Sequence, residues 1–282
     1  LISGLEEARL IYLGVLSGMK FDDRPHILID IGGGSTEMIL ADASDAKALT
    51  STRVGAVRLQ RDFIKEDPIP PTRLEFLKTF IEGSLEPAIT KISRRIKPGE
   101  RPLMVATSGT AMALGALVAA ERNLPFLKRQ GYLLNRVDLE ELLQKLVVMT
   151  PNQRRKLVSL SERRAEIIVP GALILQKSMQ MIDVNQVVLS ERALREGLIF
   201  DWMMRQGLLK DRFNFQSNIR ERTVIHQAKR FGVNTFSSEL VARFALEIYD
   251  KTFGVLHDDT GVGRELLWAA AILHSCGKHI NR

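Results

Sequence analysis

The run Asp30-Ile31-Gly32-Gly33-Gly34-Ser35-Thr36-Glu37 constrains this chain more than any other segment. It follows the apolar stretch Ile27-Leu28-Ile29, set off by Pro25, and leads into a second stretch, Glu37 to Ala41. The pattern predicts a strand, a glycine turn and a strand. Asp30 then falls at a strand end. Gly32, Gly33 and Gly34 lack a Cβ, so their amides can approach a phosphate, and successive amides in such a turn form an anion-binding nest. Ser35 and Thr36 add hydroxyl donors. Asp30 and Glu37 add carboxylates that could hold Mg²⁺ or direct a water. A plain β-hairpin would also use the glycines, but the flanking acids favour the phosphate-binding reading.

Two further segments belong with the first. Ala106-Thr107-Ser108-Gly109-Thr110 lies between a predicted buried strand, Leu103–Ala106, and a helix of small residues, Ala111–Ala120. A helix start offers free amides and a positive dipole end, so Gly109 and Thr110 are candidate phosphate contacts; an ordinary tight connection would look the same. Glu6-Glu7 sits on an opening helix expected over 4–19, with Ser3 and Glu6 reading as a capping box. Glu7 lies off the apolar stripe of Leu5, Ala8, Ile11 and Val15, facing solvent or a cleft.

The rest of the chain alternates in α/β fashion. A third strand is expected around 49–54, and a long helix follows Pro68, Pro70 and Pro71 over about 72–96. Helices are expected at 137–148, 151–159 and 162–181. A last strand at 187–189 leads through Ser190 as cap into a helix over 191–204. Residues 208–219 turn polar and read as a linker. Beyond it the pattern is all helical, at 220–231, 237–252 and 262–275. The 282 residues suit two domains. No apolar run reaches the roughly 18 residues of a membrane span. Cys276 is the single cysteine, which excludes an intrachain disulfide and favours a reducing cytoplasm. Forty Lys and Arg against 33 Asp and Glu give +7, a balance that favours anionic partners.

Six collinear segments, ISGLEEARLIYLGV, LIDIGGGSTEMIL, VGAVRL, ATSGTAMAL, ERRAEIIVPGALIL and LSERALREGLIFD, closely resemble the exopolyphosphatase/guanosine pentaphosphate phosphohydrolase (Ppx/GppA) family, a branch of the actin-like ATPase superfamily. The resemblance covers about residues 1–205 and, more loosely, 216–282. It implies an actin-like (ribonuclease H-like) lobe over 1–207, with a mixed sheet flanked by helices. It implies an incomplete HD-like all-α domain over 220–282. Asp30, Gly32, Gly33, Gly34, Ser35 and Thr36 match the family's second phosphate-binding loop. Glu37 matches a catalytic carboxylate, and Glu7 matches the glutamate that aligns or deprotonates the attacking water. Gly109 and Thr110 match the loop that approaches adenosine in nucleotide-binding relatives. Arg164 matches an arginine near the guanosine alarmone site. Gly55 matches a turn at the lobe's edge.

The implied activity is Mg²⁺-dependent release of terminal orthophosphate from inorganic polyphosphate, with Asp30 and Glu37 as metal ligands. The alternatives are a pppGpp 5′-phosphohydrolase and a non-catalytic (p)ppGpp sensor; a sugar-kinase or chaperone-like ATPase would share the loops. Implied partners are polyphosphate or guanosine pentaphosphate rather than DNA, and a homodimer of the full-length protein. Family members begin with a first lobe carrying a D-x-G-T/S-N-S loop. Because the chain opens at Leu1 without that segment, the first lobe is expected to be absent and this piece alone inactive. HD hydrolases use a His-Asp pair where this chain reads His274-Ser275, and a histidine where it reads Ser237-Ser238-Glu239. No metal chemistry is therefore expected there.

Overall fold

The computed structural model describes residues 2–19, 21–22, 24–42, 45–124, 126, 129–157, 160–206, 224–225, 227–228, 230–258 and 262–279. They form two compact units, residues 1–202 and 203–282. The expected linker at 208–219 lies outside the described residues, as does much of the expected helix at 220–231.

The first unit is built on a six-stranded mixed sheet. Its strands are β1 (His26–Ile31), β2 (Thr36–Ala41), β3 (Ala46–Thr52), β4 (Leu103–Thr107), β5 (Leu133–Asn135) and β6 (Gln186–Leu189). The order is β3-β2-β1-β4-β6-β5. β1 pairs antiparallel with β2, and β2 with β3, while β4 runs parallel to β1 and β6 parallel to β4. β5 closes the far edge antiparallel to β6. The helices are α1 (Gly4–Leu16), α2 (Ala56–Phe63), α3 (Pro71–Ser93), α4 (Gly109–Glu121), α5 (Arg136–Val148), α6 (Pro151–Arg155), α7 (Glu162–Ile182) and α8 (Leu194–Arg205).

Strand alternation sorts the side chains into two layers. Ile27, Ile29, Ile31, Met38, Leu40 and Ala48 point into the main core, built with α3, α4, α5 and α7. Their neighbours Leu28, Asp30, Glu37 and Ile39 take the other face, on which α1 packs against β2 and β3. β2 is buried along its whole length, so a polar residue there needs a partner or a function.

Several local departures have clear causes. The strand expected to reach residue 54 stops at Thr52, because the Thr36 hydroxyl donates to the Val54 carbonyl at 2.6 Å and the chain turns there into α2. α2 itself is short and half polar, which hid it in the sequence. β5 has three residues, too few for alternation to register. Ser190 does not cap α8: its hydroxyl accepts from the Arg192 amide at 3.3 Å and donates to the Arg192 carbonyl at 3.1 Å. The helix therefore starts at Leu194, where the Glu196 carboxylate accepts from the Ala193 amide at 2.9 Å. Ser3 caps α1 as expected, but Glu6 turns to Arg9 at 2.8 Å, leaving the capping box half made.

The second unit is described chiefly by α9 (Thr235–Lys251) and α10 (Val262–Leu273), which pack on each other. Asn234 caps α9 by accepting from the Ser237 amide at 3.2 Å. Val224, Ala228, Ala242, Ala271 and Ile272 form its small core. Ser238 is buried, and His274 lies 2.6 Å from the Ala271 carbonyl through Nδ1. Cys276 is a free, half-buried thiol. No helix among the described residues is long and apolar enough to cross a membrane.

Candidate active site

The glycine run is the four-residue connection of the β1–β2 hairpin, whose register pairs Asp30 with Glu37 and Ile31 with Thr36. The Gly32 amide closes the turn onto the Ser35 carbonyl at 2.9 Å. The loop's own carbonyls are tied down from behind: Ala56 N–H donates to Gly32 at 3.0 Å and Arg58 N–H to Gly33 at 2.9 Å. Among the described residues, the amides of Gly33, Gly34 and Ser35 donate to no protein acceptor, and Gly33 and Gly34 are exposed. Carbonyls held inward and amides left outward make an anion receptor. Gly55 is what lets α2 come this close, since a Cβ there would lie 2.5 Å from the Gly33 carbonyl. Thr36 has a different role from the expected donor. Its buried hydroxyl is spent on Val54.

Asp30, Glu37 and Glu7 converge on the α1 face. Asp30 is half-buried, and its carboxyl is pushed up to about 7 by burial, then by the negative charges of Glu37 and Glu7. Glu37 is 1% exposed. Burial pushes its carboxyl up too; hydroxyl hydrogen bonds from Ser51 and Ser35 pull the other way, and Glu7 adds to the upward push. Ser51 Oγ donates to Glu37 Oε1 at 2.7 Å. Glu7 is half-buried on the first turns of α1. Among the described residues, no three His, Cys, Asp or Glu side chains stand ready to cage a metal. Asp30 and Glu37 nevertheless fit Mg²⁺, which takes one or two carboxylates and completes its octahedron with water and substrate phosphates. The crowding of buried carboxylates is what a divalent cation would relieve.

The second loop is arranged differently from the free helix start expected. Ser108 adopts φ +102°, a strained value for a side-chain-bearing residue, and its hydroxyl accepts from the amides of Thr110 and Ala111 at 3.2 and 3.3 Å. Those two amides are therefore occupied. Thr110 is buried, with its methyl beside Gly171. The loop also presents a cation: the Arg164 guanidinium lies against Gly109, where a Cβ would come within 2.2 Å of Nη2. The Arg164 side chain is exposed and has no protein partner among the described residues. Gly171, seated between Thr110 and Ala56, links this loop to the first through α2. Gly109 and Arg164, assigned separately in the sequence, are thus one feature. Ser51 goes unnoticed there, and Ser108 reads only as part of the turn; the strand register and the backbone angle reveal their roles.

A sheet of order β3-β2-β1-β4-β6-β5, with a glycine hairpin between β1 and β2, defines a lobe of the actin-like, ribonuclease H-like class. The chain belongs to the Ppx/GppA phosphatase family, whose model matches residues 1–206, and the model of Ppx/GppA phosphatase domain III matches residues 219–282. The guanosine-5'-triphosphate,3'-diphosphate pyrophosphatase of Vibrio vulnificus is 28% identical over 280 residues, 99% of this chain and 52% of that protein. Exopolyphosphatase 1 of Mycobacterium leprae is 32% identical over 200 residues, 70% of this chain and 57% of that protein. The chain thus spans about half the length of the curated relatives it matches. The crystal structure of an exopolyphosphatase from Cytophaga hutchinsonii superposes with a TM-score of 0.65 at 26% identity, covering 73% of this chain and 65% of that one.

Proposed function

We propose that the protein containing this chain is an exopolyphosphatase, hydrolysing the terminal phosphoanhydride of inorganic polyphosphate with Mg²⁺ as cofactor. The observation that carries the reading is the meeting of Glu7, Asp30 and Glu37 beside the outward amides of Gly33, Gly34 and Ser35. When bound, Mg²⁺ would neutralise charge on the terminal phosphate, with Asp30 and Glu37 as its protein ligands. The loop amides cradle the terminal phosphoryl oxygens. Glu7 orients the attacking water and accepts its proton. Arg164 at the second loop binds phosphates farther along the chain. The work is positioning and charge stabilisation, as phosphoryl transfer requires. The net charge of +7 suits a polyanionic substrate. A cytoplasmic homodimer belongs to the same reading, supported for the compartment by the single cysteine.

A second reading, a pppGpp 5′-phosphohydrolase, is favoured by one finding. The relatives that align with 99% of this chain are guanosine pyrophosphatases, whereas the exopolyphosphatase aligns with 70%. Orthophosphate release by the intact protein, with Mg²⁺, from long-chain polyphosphate and from pppGpp in parallel ranks the two. Glu7→Ala should lower kcat by about 10²–10⁴-fold, the range of a lost general base, while substrate still binds. Equal loss of binding would make Glu7 a structural or metal-holding group. No release from either substrate by folded wild-type protein, with tight ppGpp binding, would move the assignment to a sensor.

A further inference from the structure

Two of the acids are carried by different elements, Glu7 by α1 and Glu37 by β2, and one small side chain on β3 touches both elements, Gly4 of α1 and Glu37 of β2. The β2–β3 register sets Ser51 opposite Glu37, which places both on the α1 face of the sheet. Ser51 Oγ lies 2.7 Å from Glu37 Oε1. An ionised carboxylate only accepts, so the serine hydroxyl is committed as donor. Glu37 is almost fully buried, whereas Ser51 is exposed, so a water entering in its place would be free to move where the serine hydroxyl is held by β3. The same serine is also the seat of α1. A Cβ on Gly4 would lie 2.4 Å from Ser51 Oγ and 2.6 Å from Ser51 Cβ, so the first turn of the helix rests directly on it. Glu7 follows three residues later, on the same side of the helix.

We propose that Ser51 is the positioning residue that registers Glu37 and Glu7 against each other. Its hydroxyl fixes the carboxylate of Glu37, and its contact with Gly4 sets how far the Glu7-bearing turn reaches over the glycine loop. The inference rests on the hydrolase reading of these two acids, and it assigns Ser51 no contact with substrate. Losing one hydrogen bond to a charged group predicts about a tenfold fall in kcat for Ser51→Ala. KM for the phosphate chain should stay within about twofold, because the loop amides and Arg164 remain in place.

The test compares the intact wild-type protein with Ser51→Ala and Ser51→Thr by steady-state phosphate release, together with a crystal structure of Ser51→Ala. The expected result is a kcat-selective loss in the alanine variant, recovery of most of it by threonine, and a Glu37 carboxylate turned away from its wild-type position in the crystal. An unchanged kcat, a threonine variant as impaired as alanine, or a Glu37 that has not moved would each overturn the proposal. A wild-type protein that turns over neither polyphosphate nor pppGpp would sink the hydrolase reading instead. The position of Glu37 in the Ser51→Ala crystal would then decide the positioning role by itself.

Discussion

Gly55→Ala should damage this lobe out of proportion to the single methyl it adds. The backbone at Gly55 is extended, φ −142° and ψ 158°, which any residue adopts, so the demand is for space. A Cβ there would lie 2.5 Å from both Gly33 carbonyl atoms and 2.6 Å from the Gly34 carbonyl carbon. All three are backbone, so no side chain can swing aside. Carbon atoms pack at about 3.5–4 Å, so the glycine loop and the start of α2 must part by roughly 1 Å. That strains the bonds from Ala56 N–H to Gly32 and Arg58 N–H to Gly33, now 3.0 and 2.9 Å. At about 1 kcal/mol each, plus residual overlap, the cost is about 2–3 kcal/mol. For a unit of this size that is a fall in Tm of about 5–10 °C. The loss in catalysis should be larger, because a displacement of about 1 Å at a reacting centre costs about a hundredfold. Calorimetry gives the first quantity, and phosphate release well below the unfolding transition gives the second. A variant with Tm within about 1 °C of wild type and kcat within about twofold would refute the argument that backbone contact at Gly55 aims the loop amides.

Two other perturbations separate charge from scaffold. Asp30 has a folded-state pKa of about 7, above its ordinary 3.8, so the folded protein holds this proton more tightly than the unfolded chain. Stability from this group is full below the unfolded value and is lost as pH rises from about 4 towards 7. Asp30→Asn, measured in metal-free buffer, should flatten that decline and be more stable than wild type at pH 8 by about 2 kcal/mol, a figure reduced for partial exposure to solvent. A parallel pH–Tm profile for the two proteins would contradict the account of Asp30. Arg154 supplies the converse case. It is 1% exposed, pairs with Asp67 and donates to the Leu146 carbonyl at 3.3 Å. Arg154→Ala strands the Asp67 carboxylate and should cost about 3–5 kcal/mol. Its kcat, measured below the unfolding transition, should match wild type; a loss as large as that of Gly55→Ala would place Arg154 within the site's own support.

The sequence displays the parts of this site whose chemistry depends on residue type and local spacing. Asp30, the three glycines and Glu37 are legible because a buried strand, a turn and a second buried strand leave their imprint within fifteen residues, Ile27 to Ala41. The register Asp30–Glu37 then follows from the hairpin, and alternation puts both acids on one face. Long-range relations leave no such imprint. That Gly4 rests on Ser51, that Gly55 rests on Gly33, and that Arg164 covers Gly109 are contacts across 47, 22 and 55 positions of chain, visible only as missing Cβ atoms. Thr36 and Thr110 show the converse, that residue type does not fix where a side chain turns. Both residues sit in the right segments, yet Thr36 spends its hydroxyl on the Val54 carbonyl, and Thr110 is buried with its methyl against Gly171. A hydroxyl beside a glycine loop is as useful for closing the turn as for meeting a ligand, and residue identity does not distinguish the two uses.

On the proposed hydrolase reading, the electrostatics of the two loops divide the work between them. At the first loop the groups that shift Asp30 are burial and two other acids, with no cation among them. A phosphate chain approaching that corner meets carboxylates of its own sign. The outward amides of Gly33 to Ser35 offset part of the repulsion with partial charges, and a divalent cation held by Asp30 and Glu37 would offset the rest. The second loop has the reverse polarity. Two of its helix-start amides are occupied by Ser108, and the charge it offers is the whole guanidinium of Arg164. An acid-rich corner suits the reacting end of a substrate, where a water must be oriented and its proton accepted. An exposed arginine with no protein partner among the described residues suits the part of the chain that is only held. On this division, changes at Arg164 fall on substrate affinity, and changes at Glu7, Ser51 or Glu37 fall on turnover.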